Sequence, residues 1–229
     1  AATGRPGPVL VDITKDALAG EIPWTGAAEF HLPGYKPSVK GHPRQVSAAI
    51  DMILESERPV LYAGGGIIRS GASAELRAFA EQQNLPVVTT LMARGAIPDE
   101  HPLTLGMPGM HGCYTASTSM QKADLLVVVG ARFDDRVTGD PDHFAQNAKI
   151  IHVDVDPAEI GKIRTADVPI VGDAKSVLEQ LIDKGASRIE SDGLPDRSAW
   201  MDQLAQWQRD HPLTYEQDPS GPIQQQYVI

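Results

Sequence analysis

The feature that most constrains this chain is an alternation. Short runs of Val, Ile and Leu, bounded by Gly or Pro, are each followed by polar, Ala-rich stretches with helical spacing. Pro59–Ala63 (PVLYA), Pro86–Thr90 (PVVTT), Asp124–Gly130 (DLLVVVG), Lys149–Val155 (KIIHVDV) and Val168–Val171 (VPIV) read as strands. A strand covered by helices on both faces has no polar side to show, so it appears as a continuous apolar run. Between them fall helices at Ala72–Gln83, with Leu76, Phe79 and Ala80 on one face, at Cys113–Ala123, at Pro157–Ile163 and at Ala174–Lys184. Another, Pro43–Glu55, precedes the first strand. Strands alternating with helices specify a doubly wound α/β domain, a parallel sheet with helices on both faces, here from about Tyr35 to Lys184.

The two ends do not follow that rhythm. Gly7–Ile13 (GPVLVDI) reads as a buried strand, but Glu21–Pro37 behind it is rich in Gly and Pro. Residues 1–34 are expected to be the end of an upstream domain plus a linker, with the apolar strand lying against a sheet edge or a neighbouring chain. Gly185–Asp196 reads as a polar linker. Helical spacing resumes at Ser198–Asp210, where Trp200, Leu204 and Trp207 form a stripe expected to pack on the core. Gln226–Ile229 looks like an apolar beginning, so 185–229 is expected to lead into a downstream domain. The start at Ala1 also points to a fragment.

Composition narrows the function classes. A net charge of −10 argues against nucleic acid, whose phosphates repel an acidic chain. The single cysteine, Cys113, can form neither an internal disulfide nor a multi-cysteine zinc site, which fits the reducing cytoplasm. No apolar run is long enough to span a membrane.

In a doubly wound sheet, ligands bind beyond the carboxyl ends of the strands. Gly64-Gly65-Gly66 follows the first strand and is either a tight turn or a place where backbone amides approach a pyrophosphate. After the second, Thr90 could bond a ring edge and Leu91 pack on a flat ring, or both could be ordinary packing. In Leu105–Gly112, His111 could bind phosphate or cap the following helix. Gly130–Gly139 (GARFDDRVTG) places two arginines and two aspartates just past the most apolar strand. A guanidinium fork suits a pyrophosphate; a local ion-pair network is the other reading. Asp154 could accept from ribose hydroxyls, whereas Asp156 before Pro157 and Asp173 before Ala174 are good helix N-caps. All these loops open on one sheet edge, which favours an extended nucleotide cofactor.

Together these segments carry a resemblance. Val129–Gly139, Thr90–Gly95 (TLMARG), Leu105–Gly112 (LGMPGMHG) and the opening Gly4–Asp12 (GRPGPVLVD) resemble the acetohydroxyacid synthases, a family of thiamine-diphosphate enzymes. These enzymes join two 2-keto acids, pyruvate with pyruvate or 2-ketobutyrate, in branched-chain amino acid biosynthesis. Their middle domain holds FAD, which the reaction does not consume. The resemblance implies FAD contacts from Arg5, Gly64, Gly65, Thr90, Leu91, Met110, His111, Gly130, Ala131, Arg132, Asp134, Arg136 and Val137, with Asp154, Val155 and Asp173 at the adenosine end. It implies a substrate channel lined by Lys15, Met110, Asp135 and Arg136. Thr14 stands where the family commonly has Pro, which loosens the placement of Lys15.

The family's catalytic glutamate lies upstream of Ala1, and its Gly-Asp-Gly motif for magnesium and diphosphate has no match at Ser191-Asp192-Gly193. The expectation is a central domain that holds FAD, lacks the thiamine and Mg2+ site and is inactive alone. Its implied partners are the flanking domains, a second copy in a homodimer or tetramer, and a regulatory subunit. The competing readings are another FAD-bearing thiamine enzyme, such as glyoxylate carboligase or a pyruvate oxidase, and a stand-alone nucleotide-binding module.

Overall fold

The computed structural model describes residues 1–26, 33–215 and 218–224. Its centre is a six-stranded, all-parallel sheet of β1 (Pro59–Ala63), β2 (Val87–Thr89), β3 (Thr104–Gly106), β4 (Leu125–Val129), β5 (Lys149–Asp154) and β6 (Val168–Val171). The spatial order is β3-β2-β1-β4-β5-β6. The chain winds outward from β1 in one direction, then returns to β4 and winds in the other. The doubly wound α/β class expected from the sequence is the observed one.

The helices are α1 (Lys15–Ala19), α2 (Pro43–Glu55), α3 (Gly65–Arg69), α4 (Ser73–Gln83), α5 (Tyr114–Lys122), α6 (Asp135–Thr138), α7 (Ala174–Asp192) and α8 (Ser198–Asp210). Because successive strand side chains point to opposite faces, the sheet supports two cores. Leu61, Val127, Val129 and Val153 pack against α2, α4 and α7 through Ile50, Phe79 and Leu178. Val60, Tyr62, Leu126 and Val128 pack against α5 and α8 through Met120, Trp200 and Leu204. The Trp200–Leu204 stripe therefore covers the sheet, as its spacing suggested. No helix among the described residues is long and apolar enough to cross a membrane.

Four local expectations are corrected. Gly7–Ile13 is not a strand: Leu10 is 92% exposed, and Val9, Val11 and Ile13 are also open. An apolar run forms a strand only where a neighbour completes its hydrogen-bond ladder, and none among the described residues does so here. Pro157–Ile163 forms turns rather than a helix; Asp156 accepts from the Ala158 N–H at 3.0 Å but caps no helix. Most of the supposed linker Gly185–Asp196 is helical, because α7 runs on to Asp192. Gly185 does not stop α7: a Cβ there would lie 2.2 Å from Gln83 Nε2, so the glycine lets α7 approach α4 closely. Finally, β3 occupies part of the segment read as a loop. Gln226–Ile229 and part of Glu21–Pro37 lie outside the described residues.

Candidate functional site: a cleft at the switch of the sheet

Where the winding direction reverses, between β1 and β4, the two following loops diverge and leave a crevice. The register aligns Ala63 with Val129, so Gly64 and Gly130 leave the sheet side by side. Gly64 N–H donates to the Val129 carbonyl at 3.0 Å, and Gly66 N–H to the Gly130 carbonyl at 2.9 Å. A Cβ on Gly64 would sit 2.2 Å from the Gly130 oxygen, and one on Gly66 would sit 2.6 Å from the Gly130 Cα. Gly64 and Gly66 thus permit backbone to touch backbone, which is a packing demand in itself.

The crevice opens into a cleft of about 940 Å³. Of the residues anticipated from the sequence, it is lined by Arg5, Gly65, Thr90, Leu91, Gly130, Ala131, Arg132, Asp134, Arg136, Val137, Asp154, Val155 and Asp173. Gly64 lies beneath it in the loop contact. Met110 and His111 are outside the lining, although Met110 N–H donates to the Arg136 carbonyl at 3.1 Å and ties their loop to the arginine loop. His111 does not cap α5, whose N-cap is Cys113. Of the four substrate-channel positions only Arg136 lines the cleft; Asp135 is exposed on α6, and Lys15 lies on the exposed α1. Arg5 is held at the rim by Asp156 at 3.4 Å and Glu159 at 3.1 Å.

The ion-pair reading of the arginine loop can be weighed by geometry. Arg132–Asp134 spans 3.6 Å and Arg136–Asp135 4.0 Å, all four side chains being largely exposed. Exposed pairs of this kind contribute about 0–1 kcal/mol, so neither guanidinium is committed to its neighbour. Asp134 caps α6 by accepting from the Arg136 N–H at 3.1 Å, which holds its carboxyl below the usual range. Asp173 caps α7, accepting from Lys175 N–H at 3.1 Å and Ser176 N–H at 3.2 Å. Burial pushes the Asp154 carboxyl up, partly offset by the Asp156 N–H it accepts at 2.9 Å.

Four arginines line the cleft (Arg5, Arg69, Arg132 and Arg136) against three aspartates (Asp134, Asp154 and Asp173), in a chain of net charge −10. Arg5 is already paired with Asp156 and Glu159, so Arg69, Arg132 and Arg136 are the lining cations available to an anionic ligand. Two hydroxyls of lining residues, Thr90 Oγ1 and Tyr62 Oη, are sealed from solvent and have no hydrogen-bond partner among the described residues. The exposed guanidiniums of Arg132 and Arg136 and the strand-end Asp154 suit a dinucleotide's pyrophosphate and ribose. Among the described residues, no group of His, Cys, Asp and Glu could hold a metal ion.

Three contributors escaped the sequence reading. Arg69 lies on α3, and Tyr62 was counted as strand core. His152, on β5, is buried and lies under the arginine loop, with its Nε2 3.0 Å from the Ala131 carbonyl. A carbonyl only accepts, so Nε2 carries a proton; Nδ1 is buried without a partner, and burial favours the neutral ring in which it is unprotonated. Beside it Phe133 packs edge-on at 5.4 Å. Ala131 and Phe133 are thereby pinned inward, and Arg132 between them points out. The available signal was a polar side chain in the middle of an apolar strand.

Burial lowers the His152 pKa from its ordinary 6.5. Between that depressed value and 6.5, the unfolded chain binds the proton that the folded one refuses. The neutral ring's stability is therefore complete above 6.5 and lost as pH falls toward the folded value. His152→Gln, which can still donate to Ala131, should remove this component. From about pH 7.5 to about 5.5 the wild-type urea midpoint should fall more steeply than the variant's; parallel profiles would refute the assignment.

The fold is an α/β domain of the doubly wound type with a cleft at its switch point. The description "Thiamine pyrophosphate enzyme, central domain" matches residues 46–181, from α2 into α7, and the chain belongs to this family. The chain is 51% identical to the acetolactate synthase large subunit of Corynebacterium glutamicum over 230 residues, covering 100% of this chain and 36% of that protein. It is 50% identical to the acetolactate synthase of Mycobacterium leprae over 229 residues, again covering 100% of this chain and 36% of the relative. The chain thus spans little more than a third of these relatives.

Proposed function

We propose that this chain is the FAD-binding central part of an acetolactate synthase large subunit. The observation that carries the reading is the cleft at the β1–β4 switch, with the exposed guanidiniums of Arg132 and Arg136 at its arginine loop in an acidic chain. Arg132, Arg136 and Arg5 hold the pyrophosphate, and Asp154 accepts from ribose hydroxyls. Val155 and Asp173 face the adenosine end, and Thr90 and Leu91 the flavin end. FAD supplies a structural element here and is not consumed. The whole protein joins two pyruvates, or pyruvate and 2-ketobutyrate, with loss of CO2. Thiamine diphosphate and magnesium supply that carbon–carbon chemistry and are held by flanking segments, so the 229-residue chain turns nothing over alone. Lys15, Met110, Asp135 and Arg136 face the substrate channel only when those segments are in place. The setting is cytoplasmic, in a homodimer or tetramer with a regulatory subunit.

The test is a thermal-shift titration with FAD, ADP and riboflavin. A ligand that binds only the folded state adds about 2.7 kcal/mol at a hundred times its dissociation constant. FAD and ADP should stabilise the wild type, and riboflavin should do little. Arg132→Ala should lose much of the effect. Stabilisation by riboflavin alone, or a wild-type response from Arg132→Ala, would show that the arginine loop does not hold the pyrophosphate.

A further inference from the structure

His152 sits in the middle of β5, buried, flanked in the sheet by Val128 of β4 and Pro169 of β6. Its two nitrogens have opposite fates. Nδ1 is sealed from solvent and has no partner among the described residues, a cost that an apolar residue here would not carry. Nε2 donates to the Ala131 carbonyl at 3.0 Å. The need for that donor arises at Gly130. The Gly130 N–H still bonds the Val153 carbonyl of β5 at 2.9 Å, but its φ of +60° turns the chain off the sheet, and the next carbonyl is met by a side chain instead of the ladder. The loop then alternates: Ala131 and Phe133 are buried, while Arg132 between them keeps 56% of its side chain exposed at the cleft. His152 holds both buried neighbours, Ala131 by the hydrogen bond and Phe133 by the edge-on ring contact at 5.4 Å.

We propose that His152 is a positioning residue: by fixing the chain on each side of Arg132 it sets where that guanidinium stands, and the grip of the arginine loop on an anionic nucleotide depends on it. This rests on the nucleotide reading above and adds to it a residue that touches no ligand. An exposed arginine has many rotamers, and a fixed backbone limits where its fork can reach. Fixing the backbone beforehand also lowers the cost of ordering the side chain on binding. Burial lowers the imidazole pKa, so at neutral pH the ring carries one proton, and that proton stays on Nε2 facing Ala131.

The test is a double-mutant cycle read as dissociation constants for FAD at about pH 7.5. His152→Gln keeps an amide donor for Ala131, and His152→Met fills nearly the same volume without one. The methionine variant should bind FAD roughly tenfold more weakly, and the glutamine variant within about threefold of the wild type. In an Arg132→Ala background the methionine change should weaken binding no further, because the side chain that His152 positions is gone. Effects of the two substitutions that multiply, equal weakening by glutamine and methionine, or wild-type affinity in the methionine variant would each overturn the proposal and leave His152 a packing residue. Urea midpoints establish that the proteins compared are folded. If methionine does not fold here, His152→Asn, whose amide stops short of the carbonyl, takes its place in the cycle. Failure of the wild type to bind FAD would overturn the nucleotide reading and this proposal together, and it is told apart from the other outcomes because it involves no variant.

Discussion

Replacing Arg197 by methionine is expected to destabilise the fold by about 4 kcal/mol, within the range for removing one partner of a buried charged interaction. Arg197 is 3% exposed and immediately precedes α8. Its guanidinium donates from Nε to the Ser56 carbonyl at 3.1 Å, from Nη1 to the Gln83 carbonyl at 2.7 Å, and from Nη2 to the Ile53 carbonyl. These carbonyls belong to the C-terminal ends of α2 and α4, where the last carbonyls lack intrahelical partners and the helix dipoles are negative. One cation therefore closes two helices and anchors a third. Burial brings its pKa down to about 10, so the charge persists at neutral pH. Methionine fills similar space but strands the Ser56 and Gln83 carbonyls, while Ile53 keeps the Ser56 N–H and hydroxyl, and lysine lacks the planar fork to reach all three. For a chain of this size the expected loss corresponds to roughly 10 °C in Tm. Arg197→Lys should fall between. A Tm within about 2 °C of wild type for the methionine variant would show that α8 is docked by its tryptophans alone.

Gly64→Ala should cost about 3 kcal/mol, whereas Gly65→Ala should cost less than about 1 kcal/mol. The two glycines are adjacent in sequence and both lie at the cleft, yet their surroundings differ. A Cβ on Gly64 meets the Gly130 oxygen at 2.2 Å and the Ala131 Cα at 2.4 Å, so the backbone of the β1 and β4 loops must part. A Cβ on Gly65 is crowded only by the Met92 Cβ, at 3.0 Å, so a shift of a few tenths of an ångström in the short Leu91–Ala93 turn relieves it. The Gly64 variant should also lose nucleotide binding, because displacing Gly130–Ala131 displaces Arg132. Urea denaturation of both variants checks this; equal midpoints would mean that the glycine run is only a permissive turn.

The layered architecture was legible because its causes are local in sequence. Helix α2 begins at Pro43 and ends at Glu55, as read, since Pro at the first helical position and an apolar stripe specify both its start and its face. Strands β1 and β4 announced themselves because burial on both faces removes every polar residue from a short run. The edge strand β3 did not: Thr104-Leu105-Gly106 has no apolar run to read. The true end of α7 was hidden because a glycine required by contact with Gln83 looks like a helix terminator.

The candidate site divides along the same line. Loop chemistry after each strand pointed to one sheet edge, and thirteen of the anticipated residues do line the cleft there. Met110 and His111 stand aside because their loop joins through the Arg136 carbonyl rather than through their side chains. What the sequence by itself determined was the parallel layered fold and the edge where its polar loops gather, since both follow from the spacing of apolar residues. Only the tertiary structure decided that β1 and β4 are neighbours, because strand order depends on how the helices pack, not on any strand's own residues. That adjacency lets Gly64 touch Gly130, and the pairing of β4 with β5 puts His152 under Ala131.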